Sequence, residues 1–113
     1  MLKNDEVPLR HMLDAARKVQ AFTEGKERRD LNEDEKLLLS LVKLIEIIGE
    51  AAVQISETSR KQLPTLPWPN IIGMRNRLVH AYFDINHDVV WKTVIEDIPG
   101  LIAELELLVS EEK

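Results

Sequence analysis

The chain has 113 residues, no cysteine and a formal net charge of −5. A chain of that length reads as one domain over residues 1–113, able to bury a core without covalent staples. The missing cysteine excludes disulfides and thiolate metal sites and fits a reducing cytoplasm. The acidic balance argues against a general nucleic-acid coat, so any nucleic-acid contact must be local.

The periodicity is helical from one end to the other. Leu9, Met12, Leu13, Ala16 and Val19 mark one face of a first helix, roughly Asp5 to Thr23, with Asp5 and Glu6 at the positive end of its dipole and Pro8 in its first turn. The N-terminal residues are polar and acidic, so neither a leader peptide nor an anchor is expected there. Gly25 and the charged run Lys26 to Asp30 read as a solvated loop.

A second, longer helix opens where Asn32 and Glu35 resemble a capping box. Leu37, Leu41, Leu44, Ile48, Ala51 and Ile55 form one apolar stripe; Leu38, Val42, Ile45, Gly49 and Ala52 form another beside it. Ser40, Lys43 and Glu46 interrupt the apolar run, which excludes a membrane span. Two adjacent stripes are wider than a surface helix needs. They suit either a central helix with several neighbours or one that also meets a second copy of the chain. Gly49 to Ala52 supplies small residues for close helix approach.

Pro64, Pro67 and Pro69 make residues 60–69 a rigid connection. A third helix opens at Pro67-Trp68-Pro69, carries Ile71, Ile72, Met74, Leu78 and Val79, and frays near Tyr82. Residues 84–88 read as a turn with Asn86 as the next cap. From Trp91 through Ile95, Ile98, Ile102, Leu105 and Val109 the apolar phase runs unbroken across Pro99-Gly100, which predicts one kinked helix or two nearly coaxial ones. No strand-like alternation is visible. The expectation is an all-α, up-and-down bundle of four or five helices.

Within it, the stretch Arg75-Asn76-Arg77-Leu78-Val79-His80-Ala81-Tyr82 brings together a permanent cation, a group that titrates near neutrality and a phenol. Metal-free RNA cleavage requires a base for the ribose 2′-OH, an acid for the leaving 5′-oxygen and a cation for the charge growing on phosphorus. Imidazole serves as base or acid near pH 7, and guanidinium matches phosphate oxygens with a planar fork of donors. On an ideal helix Arg75 and His80 are about 140° out of phase. One rigid helix would therefore not converge them on one phosphate. Either the helix unwinds before His80, or a two-fold partner contributes its own residues.

The stretch resembles the R-polar-x3-H-x-Y signature of the HepT-like toxins, a branch of the HEPN superfamily of small helical ribonucleases. Arg75, Asn76, His80 and Tyr82 each fall on a motif position. The likeness extends to Ile47-Ile48-Gly49-Glu50-Ala51-Ala52, to Pro67-Trp68 with Ile72-Gly73-Met74-Arg75-Asn76, and to Val90-Trp91 with Asp97-Ile98-Pro99. It runs from about Leu9 to Leu107. It implies a homodimer with the motif at the cleft between protomers, which favours the partner over the unwound helix. It also implies a metal-independent endoribonuclease with Arg75, Asn76 and His80 as catalytic residues, no cofactor, and RNA as substrate. The further implication is the toxin of a type VII toxin–antitoxin pair, neutralised when an MntA-type nucleotidyltransferase antitoxin attaches AMP to Tyr82.

Each residue also has a plainer role open to it. His80 could be a hydrogen-bonded histidine at a helix end, and Arg75 could pair with Glu46 or Glu50 across the helix packing. Arg77 and Lys92 are candidates for flanking phosphates or ordinary solvated charges. Asp84-x-Asn86-x-Asp88 begins like a calcium loop, but Val89 and Ile95 replace its required glycine and glutamate. His11, His80 and His87 show no metal-binding spacing. A non-catalytic scaffold for a nucleotidyltransferase and a nucleotide-binding module are the competing functions.

Overall fold

A computed structural model describes residues 3–81 and 84–111, with side chains for all of these except 3, 80, 81, 110 and 111. After a 3-10 turn at Lys3–Asp5 the elements are α1 (Glu6–Thr23), α2 (Asp30–Glu33), α3 (Glu35–Gln54), α4 (Glu57–Gln62) and α5 (Trp68–Leu78). There follow β1 (Val79–Ala81), β2 (Asp84–Ile85), α6 (His87–Lys92), a π-helical turn (Thr93–Asp97) and α7 (Ile98–Glu111).

The fold is the expected all-α bundle, with four long helical segments running up and down. α1 packs on α3 and α7, and α5 packs on the other side of α3. This explains the double stripe on α3. Both rows, from Leu37 and Leu38 to Ala51 and Ala52, are mostly buried within the chain because α1 and α5 take one side each. Gly49 stands where α5 comes nearest. A Cβ there would lie 3.3 Å from the Ile72 carbonyl oxygen and 3.4 Å from that of Ile71.

Several local expectations are corrected. α3 is capped by Asp34, whose carboxylate accepts from the Leu37 amide at 3.1 Å. Asn32 lies one turn earlier, in α2, and its side chain is engaged elsewhere. The proline-rich connection begins with a short helix, α4, because the Ser56 hydroxyl caps it by accepting from the Ser59 amide at 3.2 Å. Arg60 of α4 then donates to the Ala52 and Val53 carbonyls at 3.1 Å each, closing the C-terminal end of α3.

Asp5 fixes the same corner. It is buried, and its carboxylate accepts from the Ser56 amide and hydroxyl at 2.8 Å each and from the Ser59 hydroxyl. Burial alone would push this carboxyl up; the Ser59 and Ser56 hydrogen bonds outweigh it and hold it below its ordinary value.

The last segment is one continuous helical run, 87–111, across Pro99, but the expected unbroken phase fails at the π-helical turn: Ile95, counted in the apolar stripe, is 56% exposed, while Val94 is buried in its place. The run tolerates the proline by widening just before it. The Ile98 amide donates to the Thr93 carbonyl five residues back, which gives the pyrrolidine ring room beside the preceding turn. Asn86 caps the run as expected, its side chain accepting from the Val89 amide at 3.1 Å.

Candidate active site

α5 carries the first half of the motif. Pro67 and Pro69 preset its first turn, and the Trp68 indole, buried, donates to the Leu63 carbonyl at 3.1 Å. With Gly49 against the Ile71–Ile72 backbone, these contacts fix the height and rotation of α5 on α3.

That placement sets Arg75 opposite Glu46. The guanidinium Nε lies 3.6 Å from Glu46 Oε2, while Lys43 donates to Oε1 of the same carboxylate at 3.2 Å. The ion pair anticipated across the helix packing is therefore present. It does not bury the arginine, whose side chain is 45% exposed. Among the described residues no hydrogen bond occupies either terminal nitrogen of Arg75. Asn76 is exposed on the next position of the helix.

Arg77 lies elsewhere. Two helical steps rotate it by about 200° from Arg75. Its Nη2 donates to the Asn70 carbonyl at 3.2 Å, and it faces a groove that also carries Glu96, Asp97 and Glu104. Lys92 is exposed near the end of α6. The structure thus does not bring Arg77 together with Arg75.

The third helix ends at Leu78, earlier than the fraying expected near Tyr82. Val79 is already extended, and the free Leu78 carbonyl accepts from the Asn86 amide at 2.7 Å, so the chain leaves the helix with its last acceptor satisfied. β1 and β2 then form a small antiparallel hairpin in which Val79 pairs with Ile85 and Ala81 with Asp84. Two steps on β1 oppose one step on β2. The extra residue is His80, which sits at a bulge. The helical phase angle between Arg75 and His80 therefore no longer applies, because the backbone changes course between them. The His80 side chain and all of Tyr82 lie outside the described residues.

Sequence reading missed the polar ties that hold the hairpin's end. His87 Nδ1 lies 2.7 Å from Asn32 Oδ1, and Arg28 Nε donates to Asp88 Oδ1 at 2.6 Å. Both partnerships join residues more than fifty positions apart, and no local pattern announces them. Among the described residues no three histidine or acidic side chains come together as a metal-binding group, and no helix is long and apolar enough to cross a membrane.

Residues 12–108 match the family model described as "Ribonuclease HepT-like". The chain belongs to the HepT-like ribonuclease family. Curated relatives agree. "Probable ribonuclease HepT" of Thermococcus cleftensis is 36% identical over 100 residues, covering 88% of this chain and 91% of the relative. "Putative RNase TTE0752" of Caldanaerobacter subterraneus subsp. tengcongensis is 30% identical over 112 residues, covering 99% of this chain and 100% of the relative. "Putative RNase MJ1380" of Methanocaldococcus jannaschii is 33% identical over 97 residues, covering 86% and 89%. No solved structure matches the chain significantly. For this HepT-like chain, family and relatives together support an RNase activity.

Proposed function

We propose that this chain is a metal-independent endoribonuclease that cleaves by attack of a ribose 2′-oxygen on the adjacent phosphorus. The observation that carries the reading is the state of Arg75: braced by Glu46 along its Nε edge, half exposed, and five residues before a bulge that carries His80. The terminal guanidinium nitrogens meet the charge that builds on the phosphorane oxygens. His80 moves the proton, as base toward the 2′-OH or as acid toward the departing 5′-oxygen. Asn76 orients the substrate or the imidazole through its amide. The products are a 2′,3′-cyclic phosphate and a 5′-hydroxyl. Lys92 is a candidate contact for a flanking phosphate, and Arg77 serves such a role only for RNA that wraps around α5.

In this reading the protein works as a homodimer in the cytoplasm, with the motif of each protomer facing a shared cleft, so that one imidazole acts as base and the other as acid. It is the toxin of a type VII toxin–antitoxin pair. A nucleotidyltransferase antitoxin of the MntA type silences it by joining the Tyr82 phenol oxygen to the α-phosphorus of ATP. Pyrophosphate leaves and the phenolic proton passes to a base. The added phosphate then sits near Arg75 in sequence and competes with RNA for the guanidinium.

Incubating the purified protein with RNA in EDTA tests the proposal. Cleavage leaving 2′,3′-cyclic ends, abolished in a folded His80→Ala variant, supports it. Intact RNA with wild type, or undiminished cleavage by His80→Ala, removes it.

A further inference from the structure

The hairpin that carries His80 is tied to the α2 segment, which lies at the same end of the bundle beside the start of α3, by four polar side chains outside the family motif. Arg28 lies just before α2 and Asn32 within it. His87 and Asp88 open α6, immediately after the hairpin and its capping Asn86. Arg28 Nε donates to Asp88 Oδ1 at 2.6 Å, and Arg28 Nη1 donates to Asn32 Oδ1 at 3.2 Å. His87 Nδ1 stands 2.7 Å from that same Asn32 oxygen.

The network fixes its own protons. A guanidinium can only donate, so the Asn32 atom that it meets is the carbonyl oxygen. That oxygen can only accept. His87 Nδ1 must therefore carry a proton in either charge state of the ring, and the ring orientation follows.

The hairpin depends on such support. It has two residue pairs, and a two-stranded ribbon of that size has little stability of its own. One end is closed by the Asn86 amide on the Leu78 carbonyl. The next two residues, His87 and Asp88, are the ones held by Asn32 and Arg28. Single exposed ion pairs contribute little, but a network that shares one acceptor sets geometry better than an isolated pair.

We infer that Asn32 and His87, held by Arg28 and Asp88, are positioning residues for RNA cleavage: they pin the hairpin whose bulge carries His80. The inference rests on the ribonuclease reading above. It goes beyond that reading by assigning a role to residues that the motif does not contain.

The test compares Asn32→Leu and His87→Phe with two conservative variants. In His87→Asn the amide nitrogen stands near the former Nδ1 and still donates; in Asn32→Asp the acceptor oxygen remains. Misplacing the hairpin lowers kcat by roughly ten- to a hundred-fold in Asn32→Leu and His87→Phe. KM stays within about two-fold, since the phosphate-binding Arg75 is untouched. His87→Asn and Asn32→Asp recover most of the loss. The same two disruptive variants speed amide hydrogen exchange at residues 79–86 and leave α1 and α3 unchanged. A wild-type kcat in Asn32→Leu, or His87→Asn as impaired as His87→Phe, overturns the inference. Should wild type cut no RNA, the ribonuclease reading falls by itself. The exchange measurement then still judges the clamp, and unchanged exchange in Asn32→Leu overturns it.

Discussion

Arg75 and Glu46 meet across the α3–α5 seam at 3.6 Å, with the carboxylate's other oxygen held by Lys43. The arrangement reconciles two roles that the sequence left in competition. A structural ion pair and a phosphate contact need not exclude each other when the carboxylate takes the Nε side and, among the described residues, nothing engages the terminal nitrogens. On the proposed reading, Glu46 restrains a long side chain before substrate arrives, which would reduce the entropy lost on binding.

Arg75→Ala should therefore lower kcat for RNA cleavage by about a hundred- to a thousand-fold, as loss of a charge-stabilising group does. Glu46→Gln should cost only a few-fold, because the guanidinium remains but loses its restraint. Steady-state kinetics on a short RNA separate the two. A Glu46→Gln variant as inactive as Arg75→Ala would mean that the carboxylate takes part in the chemistry itself.

Gly49 should tolerate no large side chain. A Cβ would already press on the Ile72 carbonyl at 3.3 Å, and that oxygen belongs to helix backbone that cannot swing aside. Gly49→Ala should be mildly destabilising. Gly49→Leu should cost roughly 1–3 kcal/mol or more, as overpacking does, and should push α5 outward with Arg75 on it. Urea unfolding measures the first effect and RNA cleavage the second.

Asp5 should make stability depend on acid. Its folded-state pKa is held below the ordinary carboxylate value, so the unfolded chain binds the proton more readily. The contribution is complete above the ordinary Asp range near pH 4, and is lost as pH falls through the depressed value. Asp5→Asn should destabilise by about 1–3 kcal/mol at pH 7, since Ser56 and Ser59 lose their charged acceptor. It should also flatten the acid limb of a denaturation-versus-pH series.

Salt should weaken RNA binding only modestly. In a chain of net charge −5, the proposed phosphate contacts are confined to a few cations near the motif, Arg75 and Lys92, so few counterions are released. The logarithm of KM against the logarithm of salt concentration should rise with a slope of roughly 1 to 2, the signature of a few phosphate contacts. A steep slope would point instead to an extended basic track beyond the motif.

Much of this architecture was legible in the order of residues. Periodicity found the long helices, and apolar residues on both sides of Pro99 foretold a single run across it, although the π-helical turn breaks the expected phase at Ile95. The Gly49 contact and the Arg75–Glu46 pair were readable because helix packing puts small and charged residues at regular intervals. What stayed hidden was set by tertiary competition. Asn32 looked like a cap, but Arg28 and His87 claim its side chain, leaving Asp34 to do the capping. The third helix seemed to continue because Val79 keeps the apolar rhythm. It stops because the Asn86 amide, eight positions on, takes the Leu78 carbonyl. A hairpin with two pairs is too short to write alternation into the sequence.

The widened turn before Pro99 gives this chain a particular sensitivity to changes of length. Dropping one residue between Thr93 and Asp97 would restore ordinary winding and rotate everything downstream by about 100°. Leu105, now fully enclosed, would swing toward water, while the outward Leu107, 64% exposed, would be carried round the helix axis with it. Relatives able to lose that residue should also have lost the proline, so the two ought to come and go together as this lineage diversifies.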